Sequence, residues 1–269
     1  MTGTGISHGC VSVINGIVCG TGAVIGIALE TVATFVPGGS EKRITIEGER
    51  TGDNLARICV SRALEQIGVT EGGYHLTIRS EIPPSRGLKS SSSVCNAVIK
   101  AVLDEYGVSM DTLDMIKLGV ECAKEAKVTV TGSFDDACGC EIGGFIITDN
   151  STNTIIQQDP APEYDVVLCI PDHVKGKVPK ERYQEREPDM RAVIRIAAIR
   201  PEEAMTMNGR IIAEVVGQSN DLMELALSKG AVGAGISGTG PAMAVLAPKG
   251  EGKRIASELG CTTIVTETR

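Results

Sequence analysis

Residues 83–93 read PPSRGLKSSSS, and the apolar run VCNAVIKAVLDEYG follows directly at residues 94–107. The prolines interrupt regular structure, and the apolar spacing predicts a helix from Ser90 to Tyr106 that stops at Gly107. On the other side YHLTIRS, residues 74–80, alternates as a strand. Strand, loop and helix therefore meet at a row of hydroxyls. A helix N-terminus presents unpaired N–H groups and the positive end of the helix dipole, so a loop feeding it suits an anion such as phosphate. Gly87 lets the backbone come close and Lys89 adds a cation, while Ser90 to Ser93 can cap the helix, donate to phosphate oxygens or ligate Mg²⁺. Capping requires one hydroxyl, so four exceed that need. The loop alone leaves both readings open.

Working outward, the chain interleaves strands and helices. VSVINGIV and AVIGIALETVATFV read as sheet over residues 10–36, and a turn at PGGSEKR leads into RITIEG. Leu55, Ile58, Cys59, Leu64 and Ile67 fall at helical spacing over 53–67, with Gly68 as the stop. A further helix is predicted over 111–126, TVTGSFDDACGCEIGG (129–144) reads as loop, and FIITDNSTNTIIQQ reads as a hairpin turned at Asn150 to Asn153. VVLCI (166–170) is a buried strand and the charged stretch DHVKGKVPKERYQEREPD an exposed connection. Helical patterns cover 189–200, 202–216 and 220–229, and the chain closes as strand, helix, strand. A soft domain boundary falls near residue 160, giving domains 1–160 and 161–269.

The 269 residues are 42% hydrophobic and 22% charged, a globular profile of one or two domains. A net charge of −8 disfavours nucleic acid and anionic membrane as partners, and no apolar run reaches spanning length. Nine scattered cysteines without a CxxC pair, and no signal peptide, predict reduced core thiols in a cytoplasmic protein. Cys138-Gly-Cys140 could tempt a metal reading, but His8, His75 and His173 lie far apart in sequence.

Two nucleotide-binding signatures fail. GLKS places leucine before the lysine and GEGKR lacks the following hydroxyl, so there is no P-loop; GISGTG runs into Pro241 rather than a helix, so there is no dinucleotide fingerprint. Two other segments strengthen the phosphate reading. GAVGAGISGTGPA (230–242) holds five glycines before Pro241, a tight turn where backbone can approach a ligand. TGSFDDACGCEIGG places Asp135 and Asp136 side by side, where one could accept a proton from a substrate hydroxyl or either could cap a short helix.

Together these segments resemble the GHMP superfamily of small-molecule kinases, and most closely its archaeal-type shikimate kinases. The family's Pro-rich GLGSS loop is matched by Pro83 to Ser92 and its C-terminal glycine loop by Gly235 to Pro241. VTVTGSFDDA, GGFIITDN, AMTMNG (204–209) and GLKSSSS rank the shikimate kinases above homoserine or mevalonate kinases. The resemblance implies an α+β, two-domain GHMP kinase fold, with an N-terminal ribosomal-protein-S5-like nucleotide domain and a C-terminal ferredoxin-like α/β sandwich. It implies ATP and Mg²⁺ as cofactors, phosphorylation of a shikimate ring hydroxyl, and a homodimer as the assembly to test.

Residue roles follow from the same resemblance. Pro84, Ser85, Arg86, Gly87, Leu88, Lys89, Ser90, Ser91, Ser92 and Ser93 would bind the nucleotide, with Ser91 and Glu125 on the Mg²⁺ side. Asp136, shortly before Gly143-Gly144, would be the catalytic base, with Asp135 in reserve and Lys89 beside them. Ser237, Gly238, Thr239, Gly240 and Asn15 would close the substrate end. Two departures from the family stand out: Lys89 occupies a usual glycine position, and Thr21 stands where related enzymes often carry lysine. The cation beside the base must then be Lys89 or Lys127, and Arg191, Arg195 and Arg210 are candidates for the substrate carboxylate. The rival readings are a sister kinase for homoserine or a mevalonate-type alcohol, and a non-catalytic ligand sensor.

Overall fold

A computed structural model describes residues 2–47, 53–129, 132–172 and 178–269. The strands and helices follow in the order β1 (Gly3–Ile14), β2 (Thr21–Pro37), β3 (Lys42–Ile46), α1 (Asn54–Gln66), β4 (Tyr74–Ser80), α2 (Ser90–Glu105) and α3 (Thr112–Glu125). Next come α4 (Phe134–Ile142), β5 (Phe145–Asp149), β6 (Thr154–Asp159), β7 (Tyr164–Cys169), α5 (Lys180–Gln184) and α6 (Glu187–Ala197). The last are α7 (Pro201–Val216), α8 (Asp221–Ser228), β8 (Gly233–Ile236), β9 (Met243–Pro248), α9 (Gly252–Glu258) and β10 (Thr263–Glu267).

β2 organises the first sheet. Its residues 23–35 pair antiparallel with β1, with register shifts at His8/Gly9 and Ser12/Ile14, while its other edge is shared: Thr31–Pro37 pairs with β4 and Thr21–Ile25 with β5. The gap between β4 and β5 is closed by distant residues. Gly26 donates to the Gly144 carbonyl (2.9 Å), Gly144 to that of Arg269 (2.7 Å), and Arg269 back to that of Gly26 (3.0 Å). The second sheet runs β10-β7-β9-β8, antiparallel throughout.

Near the turn, residues 9–14 of β1 and 22–27 of β2 are buried on both faces, which is why the sequence runs apolar there, while the far ends of both strands alternate. Cys10 and Val24 face α1 to α4, whereas Val11, Val13, Ala23 and Ile25 face a second core shared with α6, α7, Val166, Leu168, Ala244 and Leu246. Val167, Cys169, Val245 and Ala247 point to the far side of the second sheet, against α8 and α9. α2 lies directly on β1. A Cβ on Gly5 would stand 2.0 Å from the Ala97 carbonyl oxygen.

Several expectations are corrected. The segment read as loop over 129–144 contains helix α4, and the charged connection contains α5 and the start of α6, although Val130, Thr131 and 173–177 lie outside the described residues. Burial of Phe134, Ala137, Cys138 and Cys140 outweighs the weak helix propensity of glycine, aspartate and cysteine in α4. The C-terminal segment contains β8 as an additional strand before the expected strand, helix and strand. Seven cysteines are buried, but Cys19 is half-buried and Cys261 exposed. No helix among the described residues is long and apolar enough to cross a membrane.

Candidate active site

The opening loop enters α2 with Ser85, Gly87 and Lys89 all at positive φ (59°, 82° and 68°). Lys89 occupies the N-cap position in the left-handed region, and no side chain caps the helix. The serine row is therefore not explained by capping. Ser90, Ser91 and Ser92 line a cavity of about 490 Å³ together with Ser85, Gly87, Leu88 and Lys89. Its other walls include Asn15, Asp135, Asp136, Asn150, Gly238 and Thr239.

The glycine loop between β8 and β9 clasps this serine loop. Ser237 donates to the Gly87 carbonyl (2.9 Å) and the Ala242 N–H to that of Arg86 (3.1 Å). The fit leaves no room for a side chain at 87, where a Cβ would lie 2.2 Å from the Ser237 carbonyl oxygen. Ser12, buried in β1, ties both loops together: its hydroxyl accepts from Lys89 Nζ (2.9 Å) and from the Gly238 N–H (3.0 Å). Asn15 donates to the Gly238 carbonyl (2.6 Å), and its own N–H is held by the Asn208 side chain (3.0 Å).

Lys89 Nζ lies 2.8 Å from Asp136 Oδ1, and both side chains are largely buried. Burial alone would lower the lysine's pKa, but Asp136, Cys10 and Asp135 outweigh it and hold the ammonium charged. The neighbouring Asp135 is fully within the protein. Burial first, and the charge of Asp136 second, push its carboxyl up to about 7 against the opposing pull of Lys89 and Asn150. Asn150 grips Asp135 at two points, its side-chain amide oxygen accepting from the Asp135 backbone N–H (3.0 Å) and its amide N–H donating to Oδ1 (2.8 Å), while Thr148 donates to that same amide oxygen (2.7 Å). A charged lysine against one aspartate, beside a second carboxyl poised near neutrality, can accept a proton from a bound hydroxyl and neutralise an anion at one place.

The structure brings most predicted residues together and separates others. Ser93 is fully buried one turn into α2, away from the cavity. Arg86 turns outward to donate to the Pro171 carbonyl (2.7 Å), and neither it nor Pro84 lines the cavity. Ser237 acts as the tether just described, and Gly240 lies behind the lining. Glu125 is placed elsewhere: its carboxylate is exposed and paired with Arg62 of α1 at 2.7 Å, while Ala123 of the same turn lines the cavity and Glu125 does not. Arg191 and Arg210 are exposed and paired with Glu187 and Glu224, and Arg195 is exposed on α6. Among the described residues that line the cavity, Lys89 is the one cationic side chain, and Lys127 does not line it. Ser12 and Asn150 were missed by the sequence reading. The signal for Ser12 was a hydroxyl inside a strand buried on both faces; Asn150 read as an ordinary turn residue.

A model of the GHMP kinases N terminal domain matches residues 54–144 and one of the GHMP kinases C terminal domain residues 190–264. A protein of Methanococcoides burtonii named shikimate kinase is 39% identical, covering 91% of this chain and 87% of its own length. One of the same name from Pyrococcus abyssi is 34% identical, covering 93% of each. The crystal structure of Methanococcus jannaschii mevalonate kinase superposes with a TM-score of 0.79 at 17% identity, over 100% of this chain and 98% of that one. The chain belongs to the GHMP kinase family, whose members draw on ATP.

Proposed function

We propose that this protein is a shikimate kinase, transferring the γ-phosphoryl group of ATP to a ring hydroxyl of shikimate to give shikimate 3-phosphate and ADP. The carrying observation is the double role of Lys89. Its backbone forms the mouth of α2 while its ammonium touches Asp136 at 2.8 Å, so the anion cradle and the candidate base are joined through one residue. Likeness over most of the chain to relatives of that name supports the substrate.

Phosphoryl transfer depends mostly on positioning and charge neutralisation. The free N–H groups at the start of α2 and the hydroxyls of Ser90 to Ser92 bind phosphate oxygens, and Lys89 offsets the charge that gathers during transfer. Asp136 orients the acceptor hydroxyl and takes its proton. Ser12 holds the lysine in place.

The described residues contain no cluster of three or more acidic, histidine or cysteine side chains fit to cage a metal. The donor set instead suits Mg²⁺ arriving with the nucleotide, held by the Ser91 hydroxyl and phosphate oxygens, since this ion keeps waters and few protein ligands. Bound there, it supplies charge neutralisation on the phosphates. The first 160 residues would carry nucleotide recognition, with residues 161–269 supplying the glycine loop. The retained Lys89–Asp136 pair disfavours a non-catalytic sensor.

ADP release by purified protein with MgATP, run in parallel with shikimate, homoserine, mevalonate and no acceptor, tests the reading. Release that depends on shikimate is the expected outcome. Release with another acceptor overturns the substrate, and nucleotide binding without release moves the sensor forward.

A further inference from the structure

Asp135 has no part in the mechanism above, yet few side chains here are fixed so firmly. Its backbone N–H and its Oδ1 are both held by the amide of Asn150, whose orientation Thr148 sets by donating to the amide oxygen. That arrangement directs the Asn150 NH₂ group at the carboxyl. Both glycines packed against the pair leave space that any side chain would take. A Cβ on Gly22 would stand 2.1 Å from Asp135 Oδ2, and one on Gly16 would stand 2.5 Å from Asn150 Nδ2. Asp135, Asn150 and Gly16 all line the cavity, and Asp135 adjoins Asp136 in the first turn of α4. A carboxyl fixed through one oxygen that also lines the cavity beside Asp136 is placed to meet a polar group of the ligand.

We propose that Asp135 receives a second hydroxyl of the acceptor, next to the one that Asp136 deprotonates, and that Asn150 is the residue that positions it. The pair of adjacent carboxyls thereby selects acceptors with two neighbouring hydroxyls over simple alcohols. The chemistry serves in either protonation state: the ionised carboxyl accepts from the hydroxyl and the neutral one donates to it. Discrimination by a buried polar group is strong because an acceptor lacking the hydroxyl leaves that group unpaired. This inference rests on the shikimate reading, in which the phosphorylated hydroxyl has such a neighbour on the ring.

The test compares wild type, Asp135→Asn, Asn150→Ala and Asn150→Ser on shikimate and on its analogue lacking the hydroxyl adjacent to the phosphorylated one, with kcat and KM read separately. Wild type is expected to prefer shikimate in kcat/KM by roughly ten- to a hundredfold, the loss of one hydrogen bond to a charged or buried group. Asp135→Asn, whose amide keeps only a weaker neutral hydrogen bond, should reduce that preference by about threefold or more, raising the KM for shikimate while the KM for ATP stays unchanged. The Asn150 variants should lower the preference in the same direction, and they carry the test if Asp135→Asn fails to melt cooperatively. Equal use of both acceptors by wild type, or undiminished preference in the variants, overturns the inference while leaving the kinase reading intact. Absence of turnover of shikimate by wild type overturns the kinase reading itself, and the inference with it.

Discussion

At the scale of single residues the decisive contact is Lys89 with Asp136. A largely buried ion pair loses much of its Coulomb gain to desolvation, and removing one partner leaves the other uncompensated. If Asp136 is the base proposed above, Asp136→Asn should lower kcat by roughly two to four orders of magnitude, with ATP affinity changed far less. Stopped-turnover kinetics alongside nucleotide titration checks this, and comparable turnover removes Asp136 from the role. Asp135 gives a separate thermodynamic signature. Its folded pKa of about 7 lies above its ordinary 3.8, so its contribution to stability is complete below the ordinary value and is lost as pH rises through about 7. The groups setting this are Asp136, Lys89 and Asn150. Asp135→Asn should raise Tm relative to wild type more at pH 8 than at pH 5, by a few degrees; equal offsets at both pH values would count against the buried, poised carboxyl.

Between elements, the two glycine-bearing loops work as one clasp. Gly87 holds a φ of 82° and leaves no space for a methyl group against Ser237, so Gly87→Ala forces the loops apart. The expected result is a loss of about 1–3 kcal/mol in stability with a raised KM for ATP, read by denaturant melts and initial rates. Elements with strong periodicity were legible in the sequence: α2, α3, β4 and the β5–β6 hairpin fall where apolar spacing and turn residues put them. α4 was not, because its composition reflects packing rather than propensity. Gly139 sits where a Cβ would lie 2.5 Å from Val24, so a poor helix former is required there by the sheet beneath. That the serine loop, Lys89 and Asp136 should meet in one cavity was legible because each carries chemistry in a recognisable local pattern. Glu125 falls outside the cavity, since its position along α3 does not reveal that its side chain turns to Arg62 while Ala123 of the same turn lines the cavity. Asn150 and Ser12 acquire their roles only through contacts with residues 15 and 226 positions away, which no local pattern encodes.

Across the whole molecule, one core joins the two sheets: residues of β1, β2 and β5 pack with those of β7, β9, α6 and α7. The three-way hydrogen bonding of Gly26, Gly144 and Arg269 completes the first sheet with backbone from far along the chain. An isolated fragment of residues 1–160 lacks both the shared core's partners and this closure. It should show no cooperative thermal transition, a result that calorimetry or near-ultraviolet circular dichroism can check. The same closure sets a schedule for biosynthesis. While the chain emerges from the ribosome, the first sheet waits with an open notch between β4 and β5, a stretch of unpaired edge available to any passing strand. Native registration there waits for Arg269, made long after β2, so the first sheet stays open at this notch until the chain has reached that residue.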